Sequence, residues 1–114
     1  MLTIEALKAY GANTAEGLNR CMNNEAFYLR LVGMLKADTH MEELRKAVEA
    51  GNLKAGFEAA HALKGILANL SLSPILRPVA EMTELLRAKT ETDYSGYLKE
   101  INEKLQELKA LCEG

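Results

Sequence analysis

Residues 53–70 read LKAGFEAAHALKGILANL, and the helical pattern of the chain is clearest here. Apolar and small residues recur every three or four positions, which is the spacing of one buried face of an α-helix. This stripe runs, at spacings of 3, 4, 3, 4 and 3, through Leu53, Gly56, Ala60, Leu63, Leu67 and Leu70. Such an alternation is typical of a helix that packs in a bundle.

Short polar clusters flank this stretch. Gly51 suits a left-handed helix end and Asn52 suits an N-cap, so the pair predicts a tight reversal between antiparallel helices. On the other side, we expect Ser73 to be the N-cap of the next helix and Pro74 its first helical residue. Pro78 lacks a backbone donor, which predicts that this next helix is either kinked at Pro78 or begins there.

The same patterns predict the other helices. An Asn23 or Asn24 cap opens a segment whose apolar phase persists to Val48, which predicts one long helix, bent near residues 37–40 and ending before Gly51. The helix after Pro74 is expected to end near Lys89. In the last helix, apolar residues follow spacings of 4, 3, 4, 3 and 4 through Tyr94, Leu98, Ile101, Leu105, Leu108 and Cys112. Two short segments, residues 3–10 and a helix capped by Asn13 or Thr14, precede them.

The composition agrees with an all-helical chain. Leu, Ala, Glu and Lys supply 58 of the 114 residues, whereas Val, Ile and Thr supply 13, a balance that favours helices over strands. We therefore predict an all-α fold, an antiparallel up-down-up-down four-helix bundle with short additional N-terminal helical segments, in a single domain over residues 1–114.

Charge and cysteine content exclude several classes of function. The net charge of -2 gives no field that would hold nucleic acid or an anionic membrane. The longest uncharged stretch, residues 65–76, is too short to span a bilayer. Residues 1–5 lack the basic segment and apolar core that open a signal peptide, so we expect a cytoplasmic protein. Cys21 and Cys112 form no metal-binding or disulfide pattern and are expected to be reduced thiols. We predict neither a metal site nor a cofactor in this chain.

The candidate chemistry lies on the helix of residues 53–70. His61 is displaced from the apolar stripe and should face solvent, where a neutral imidazole keeps a lone pair and can act as a nucleophile. Lys64, three residues later, lies on the same side and could attract a phosphoryl group. Gly65 costs about 1 kcal/mol in mid-helix relative to alanine, so we expect a compensating role, namely room for another protein to approach. Ala68 extends this face of small residues.

Other interpretations of these residues remain open. Gly65 and Ala68 could instead allow close packing of helices within the bundle. Phe57 borders both the stripe and the His61 face, where core-edge packing and a partner contact are both compatible with its position. Lys54 and Glu58 are most simply solvated charges. His40 is predicted to be a plain surface residue.

Residues 61–70, HALKGILANL, resemble the H-x-L-K-G-x-x-A-N-L signature of the histidine-containing phosphotransfer (HPt) domains. The resemblance extends roughly from Tyr10 to Arg87, whereas the last helix matches only in its apolar pattern. Ile66 and Leu67 stand where the family often has small polar residues, and Ser71 stands where it often has glycine. These departures concern packing and the exit turn.

The resemblance implies a phosphorelay intermediate. His61 would accept a phosphoryl group from a receiver-domain aspartate and pass it to another receiver, with Lys64 stabilising its charge. The implied partner-binding face comprises Lys54, Phe57, Glu58, Gly65 and Ala68. Implied partners are response-regulator receiver domains, which would carry the Mg²⁺, and a hybrid sensor histidine kinase.

The sequence contains no Gly-rich phosphate loop, so we expect a carrier rather than an enzyme with its own kinase site. We expect a monomer that is a freestanding protein rather than a fragment of a hybrid kinase. The alternative function is a non-phosphorylated, HPt-like interaction module that binds receiver domains.

Overall fold

The computed structural model describes residues 2–113, which form seven α-helices and one 3₁₀ segment. The helices are α1 (Ile4–Tyr10), α2 (Thr14–Arg20), α3 (Glu25–Gly33), α4 (His40–Glu49), α5 (Leu53–Asn69), α6 (Ser73–Arg87) and α7 (Ser95–Glu113). The 3₁₀ segment spans Met34–Ala37. No strand occurs in the described residues, and the all-α prediction is confirmed. Met1 and Gly114, the ends of the predicted domain, lie outside this range.

The four bundle helices are α4, α5, α6 and α7. Helix α5 packs extensively against both α4 and α6, and α7 packs against α6. The core between them consists of fully or almost fully buried aliphatic side chains, namely Leu44, Leu63, Leu67, Ile75, Val79, Met82, Leu86, Ile101, Leu105 and Leu108. The apolar spacing of α7 therefore serves an intramolecular core. No helix within residues 2–113 is long and apolar enough to cross a membrane.

The predicted long helix over residues 24–50 is wrong, because α3 and α4 are separate helices. After the 3₁₀ segment, Asp38 adopts an extended backbone (φ −71°, ψ 135°). Its carboxylate accepts a hydrogen bond from the backbone N–H of His40 at 2.7 Å and lies 2.8 Å from His40 Nδ1. These local bonds offer the backbone an alternative to continued helix. His40, predicted to be a plain surface residue, is partly exposed, and its ring pairs with Asp38.

The turn between α4 and α5 is confirmed. Gly51 has a left-handed φ of +74°, and the Asn52 side chain accepts a hydrogen bond from the N–H of Ala55 at 3.0 Å. Of the caps predicted at Asn13 or Thr14 and at Asn23 or Asn24, the structure has Asn13 and Asn24, which accept bonds from the first turns of α2 and α3.

The start of α6 differs from the prediction, whereas its end lies near the predicted one. Ser73 is the first helical residue rather than the N-cap, because the carbonyl of Leu72 already accepts the N–H groups of Ile75 and Leu76. The alternative that this helix begins at Pro78 is wrong, since Pro78 lies buried inside α6. The helix ends at Arg87, two residues before Lys89, whose φ of +54° turns the chain away.

The N-terminal helices are fastened to the turn between α5 and α6 by a group of bonds that we call the Ser71 joint. Ser71 has a left-handed φ of +55°, and its carbonyl accepts the N–H of Asn13 at 3.0 Å. The Ser71 hydroxyl donates to Glu16 at 2.7 Å. Arg20 pairs with Glu16 and donates to the carbonyl of Ala68.

Two tyrosines add further ties. The buried hydroxyl of Tyr28 in α3 donates to the carbonyl of Leu70 at 2.8 Å. The hydroxyl of Tyr10, at the end of α1, donates to the carbonyl of Lys104 in α7 at 2.7 Å. The short helices predicted at the N-terminus are therefore packed onto the bundle through specific polar contacts.

Candidate functional site

His61 lies in the middle of α5, on the side that faces away from the core. The residues before and after it in the stripe, Ala60 and Leu63, are almost completely buried, whereas His61 is exposed. This orientation follows from helical geometry, because a step of one residue turns the side chain by about 100°. The predicted solvent exposure of His61 is confirmed.

Gly65 leaves open space one turn further along α5. A Cβ built on Gly65 would have no heavy atom within 4 Å outside its own helix, and the residue is exposed. The interpretation of Gly65 as a site of close helix packing within the bundle is therefore wrong. Its missing side chain instead leaves an uncovered surface beside His61.

The other predicted site residues differ in exposure. Lys64 and Ala68 are half-buried, and the carbonyl of Ala68 accepts the bond from Arg20. Lys54 and Glu58 are exposed on the N-terminal half of α5. All the predicted site residues belong to α5, so their positions relative to one another are set by the geometry of this single helix.

Phe57 contacts His61 directly. Its half-buried ring packs against the hydrophobic core, which confirms the predicted core-edge position. The ring also stacks on the His61 imidazole, with the ring centroids 5.5 Å apart and the planes 20° from parallel. The spacing of four residues within a helix is a signal that could have indicated this pair.

Arg87, at the end of α6, completes the arrangement and was missed by the sequence analysis. Its guanidinium carbon lies 4.9 Å from the centroid of the Phe57 ring. A carboxylate oxygen of Glu84 lies 3.3 Å from Arg87 Nε, on the same helix. The site therefore includes residues of two helices, α5 and α6.

The described chain contains no evident metal centre. Within residues 2–113, no group of three or more His, Cys, Asp or Glu side chains lies together in a way that could hold a metal ion. Both cysteines are free thiols; Cys21 is buried and Cys112 is partly buried.

Comparison with known proteins identifies the family. A family model described as Hpt domain matches residues 34–111, which include α4, α5, α6 and most of α7. The match begins later than the resemblance expected from Tyr10 onwards, and it extends through most of the last helix. Searches of curated proteins and of solved structures gave no match. Because the matched residues make up more than half of the chain, this protein belongs to the Hpt domain family.

Proposed function

We propose that this protein is a phosphorelay intermediate that accepts a phosphoryl group on His61 from a receiver-domain aspartate and passes it to another receiver domain. Membership of the Hpt family implies a histidine phosphotransfer role in two-component signalling. The observation that supports His61 most strongly is its exposure in mid-helix beside the open surface at Gly65. At Gly65 a receiver that approaches the imidazole meets no side chain.

The proposed transfer exchanges one bond to phosphorus for another. The lone pair of an unprotonated imidazole nitrogen of His61 attacks the phosphorus of the aspartyl phosphate, and a P–N bond forms. The P–O bond to the aspartate breaks, and the carboxylate leaves with the electron pair. The proton on the second ring nitrogen stays in place. In the next step, a carboxylate of another receiver attacks the phosphorus and a P–O bond forms. The P–N bond breaks, and its electron pair returns to the imidazole nitrogen.

Lys64 is proposed to stabilise the phosphoryl group on His61. An ammonium group three residues away on the same helix side can approach the phosphoryl oxygens and form charge-assisted hydrogen bonds. Lys54, Phe57, Glu58, Gly65 and Ala68 form the proposed partner-binding face around it.

The proposed partners are response-regulator receiver domains and a hybrid sensor histidine kinase. Hpt domains are phosphocarriers rather than enzymes in themselves. We infer that this chain needs no cofactor of its own and that the receiver supplies the Mg²⁺ that neutralises phosphoryl charge. The proposal includes a monomeric carrier that works in the cytoplasm.

The test is phosphotransfer from a panel of phosphorylated receiver domains of the host, scored by intact mass and acid lability. Wild-type protein is expected to gain about 80 Da in an acid-labile form. His61→Gln should gain nothing while keeping its helical circular dichroism. The matched control is His40→Gln, which changes the other histidine of the chain and should be labelled like the wild type.

Two results would contradict the proposal. Labelling of His61→Gln would place the phosphoryl group on another residue. If wild-type protein bound a receiver but gained no phosphate from it, the non-phosphorylated interaction module would be the better description.

A further inference from the structure

We propose that Phe57 and Arg87 position the His61 imidazole for phosphotransfer, acting as a stacked series of cation, ring and imidazole. The inference rests on the proposed function of His61 and concerns how its ring is held. Neither residue touches the reacting phosphorus in this proposal, so both are positioning residues.

The first contact lies within α5. A centroid separation of 5.5 Å with planes 20° from parallel falls in the range of attractive ring stacking. An exposed side chain ordinarily exchanges among its rotamers within nanoseconds. Stacking on a half-buried ring that is packed against the core favours one orientation of the imidazole over the others.

The second contact comes from α6. The guanidinium carbon of Arg87 lies 4.9 Å from the Phe57 centroid, within the roughly 6 Å reach of a cation–π interaction. A carboxylate oxygen of Glu84 accepts a hydrogen bond from Arg87 Nε at 3.3 Å and gives the guanidinium a second contact. Arg87 thereby restrains the Phe57 ring on which His61 rests.

The packing of α5 against α6 determines which residues of the two helices lie side by side, and so brings Arg87 next to Phe57. Gly56, next to Phe57, is buried, and a Cβ placed on it would lie 3.4 Å from a methyl carbon of Leu86. The two helices therefore approach closely at Gly56 and Leu86, which immediately precede Phe57 and Arg87. This contact fixes the end of α6 beside the His61 face.

Orientation of the imidazole matters most when the phosphoryl donor is itself fixed. In a docked receiver, the phosphorus occupies a set position, so the nitrogen lone pair must point along the line of attack. A small phosphoryl donor such as phosphoramidate diffuses freely and can approach any rotamer of His61. A positioning role therefore predicts that transfer from a receiver is slowed while labelling by the small donor is not.

The experiment compares Arg87→Gln with wild type in single-turnover transfer from a receiver that labels the wild-type protein. We expect the rate at saturating receiver to fall about two- to fivefold, the size expected for loss of an exposed cation–π contact. The half-saturating receiver concentration and the rate with phosphoramidate should stay unchanged. Arg87→Lys, which keeps a cation, should recover most of the rate. Arg77→Gln, another exposed arginine of α6, is the matched control and should behave like the wild type.

A second measurement reads the stack without any phosphotransfer. In the nuclear magnetic resonance spectrum of the unphosphorylated protein, the face of the Phe57 ring should shift the ring protons of His61 upfield. Phe57→Leu should remove this shift, and Arg87→Gln should reduce it.

Two outcomes would overturn the positioning role. In the first, Arg87→Gln raises the half-saturating receiver concentration at an unchanged saturated rate, which would make Arg87 a docking contact. In the second, the His61 resonances are the same in wild type and Phe57→Leu. Failure of the proposed function is distinct from both, because wild-type protein would then acquire no phosphate on His61.

Discussion

Replacing glycine by alanine within a helix is expected to have opposite effects at Gly17 and Gly65. Gly17 lies in α2, and a Cβ built there would lie 2.6 Å from three atoms of Tyr28, Cε1, Cζ and Oη. At Gly65, the same Cβ would meet no heavy atom within 4 Å. Both substitutions change the helix propensity by the same amount, so a difference between them reports the surroundings of the new methyl group.

The magnitude at Gly17 follows from how firmly Tyr28 is held. The new contact is 0.8 Å shorter than the 3.4 Å at which ordinary contact begins, and the Tyr28 ring is fully buried. The ring cannot retreat without weakening its 2.8 Å hydrogen bond to the carbonyl of Leu70. Overpacking costs about 1–3 kcal/mol and loss of the hydrogen bond adds about 1 kcal/mol, while the gain in helix propensity returns about 1 kcal/mol. We expect a net loss of about 1–3 kcal/mol.

Urea unfolding followed by circular dichroism measures both free energies. Gly17→Ala should lower the free energy of unfolding by the amount above. Gly65→Ala should raise it by about 0.5–1 kcal/mol, because alanine favours the helix and meets no obstacle. If Gly17→Ala were as stable as the wild type, the close approach of α2 to Tyr28 would be refuted. A destabilised Gly65→Ala would equally refute the open space beside His61.

Three further predictions concern the site and the pH dependence of stability. Lys64→Ala should slow phosphotransfer to His61 by at least about tenfold, the effect of losing a charge-assisted hydrogen bond, and a wild-type rate in a single-turnover assay would exclude this role. Gly65→Gln should lower receiver affinity at least about tenfold by filling the open surface, with helical content retained; unchanged binding in calorimetry would contradict the docking role of this surface. Burial, and then the negative charge of Glu107, raise the pKa of Tyr10 above its ordinary value. Its neutral form therefore stabilises the fold fully below about pH 10, and this contribution is lost as the pH rises further. Tyr10→Phe should show a shallower decline of unfolding free energy in alkaline urea titrations, and an equally steep decline would refute the contribution.

The parts of the fold that local sequence controls were predictable. The stripe of α5 and the caps at Asn13, Asn24 and Asn52 depend on residues within one or two turns, and all of them occur as expected. The break between α3 and α4 was not predicted as a helix end, because apolar periodicity continues across it. That periodicity is misleading, since two of the residues that form it, Phe27 and Met34, are 46% and 63% exposed. The 3₁₀ segment after Gly33 and the hydrogen bonds of Asp38 to His40, which separate α3 from α4, leave no trace in the apolar pattern.

The candidate site likewise has a part that local sequence predicts and a part that depends on the packing of helices. His61, Lys64 and Gly65 share one helix, so their spacing alone was enough to predict a common surface. Arg87 reaches the site from α6, and its distance from Phe57 depends on how far α6 is shifted along α5. That shift is set by side-chain packing such as the contact of Gly56 with Leu86, which a single sequence does not encode in any local pattern.

The hydrogen bonds of the Ser71 joint determine which parts of the molecule unfold together. The left-handed backbone of Ser71 is unfavourable for a residue with a Cβ, so its partners must over-determine it. Asn13, Glu16 and Arg20, which bond at the joint, all precede residue 34, where the family match begins. Residues 4–33 and the turn that starts α6 are therefore coupled, and they should exchange their amide hydrogens as a single cooperative unit. Residues 4–33, although they precede the family match, therefore help to hold the conformation of the turn between α5 and α6.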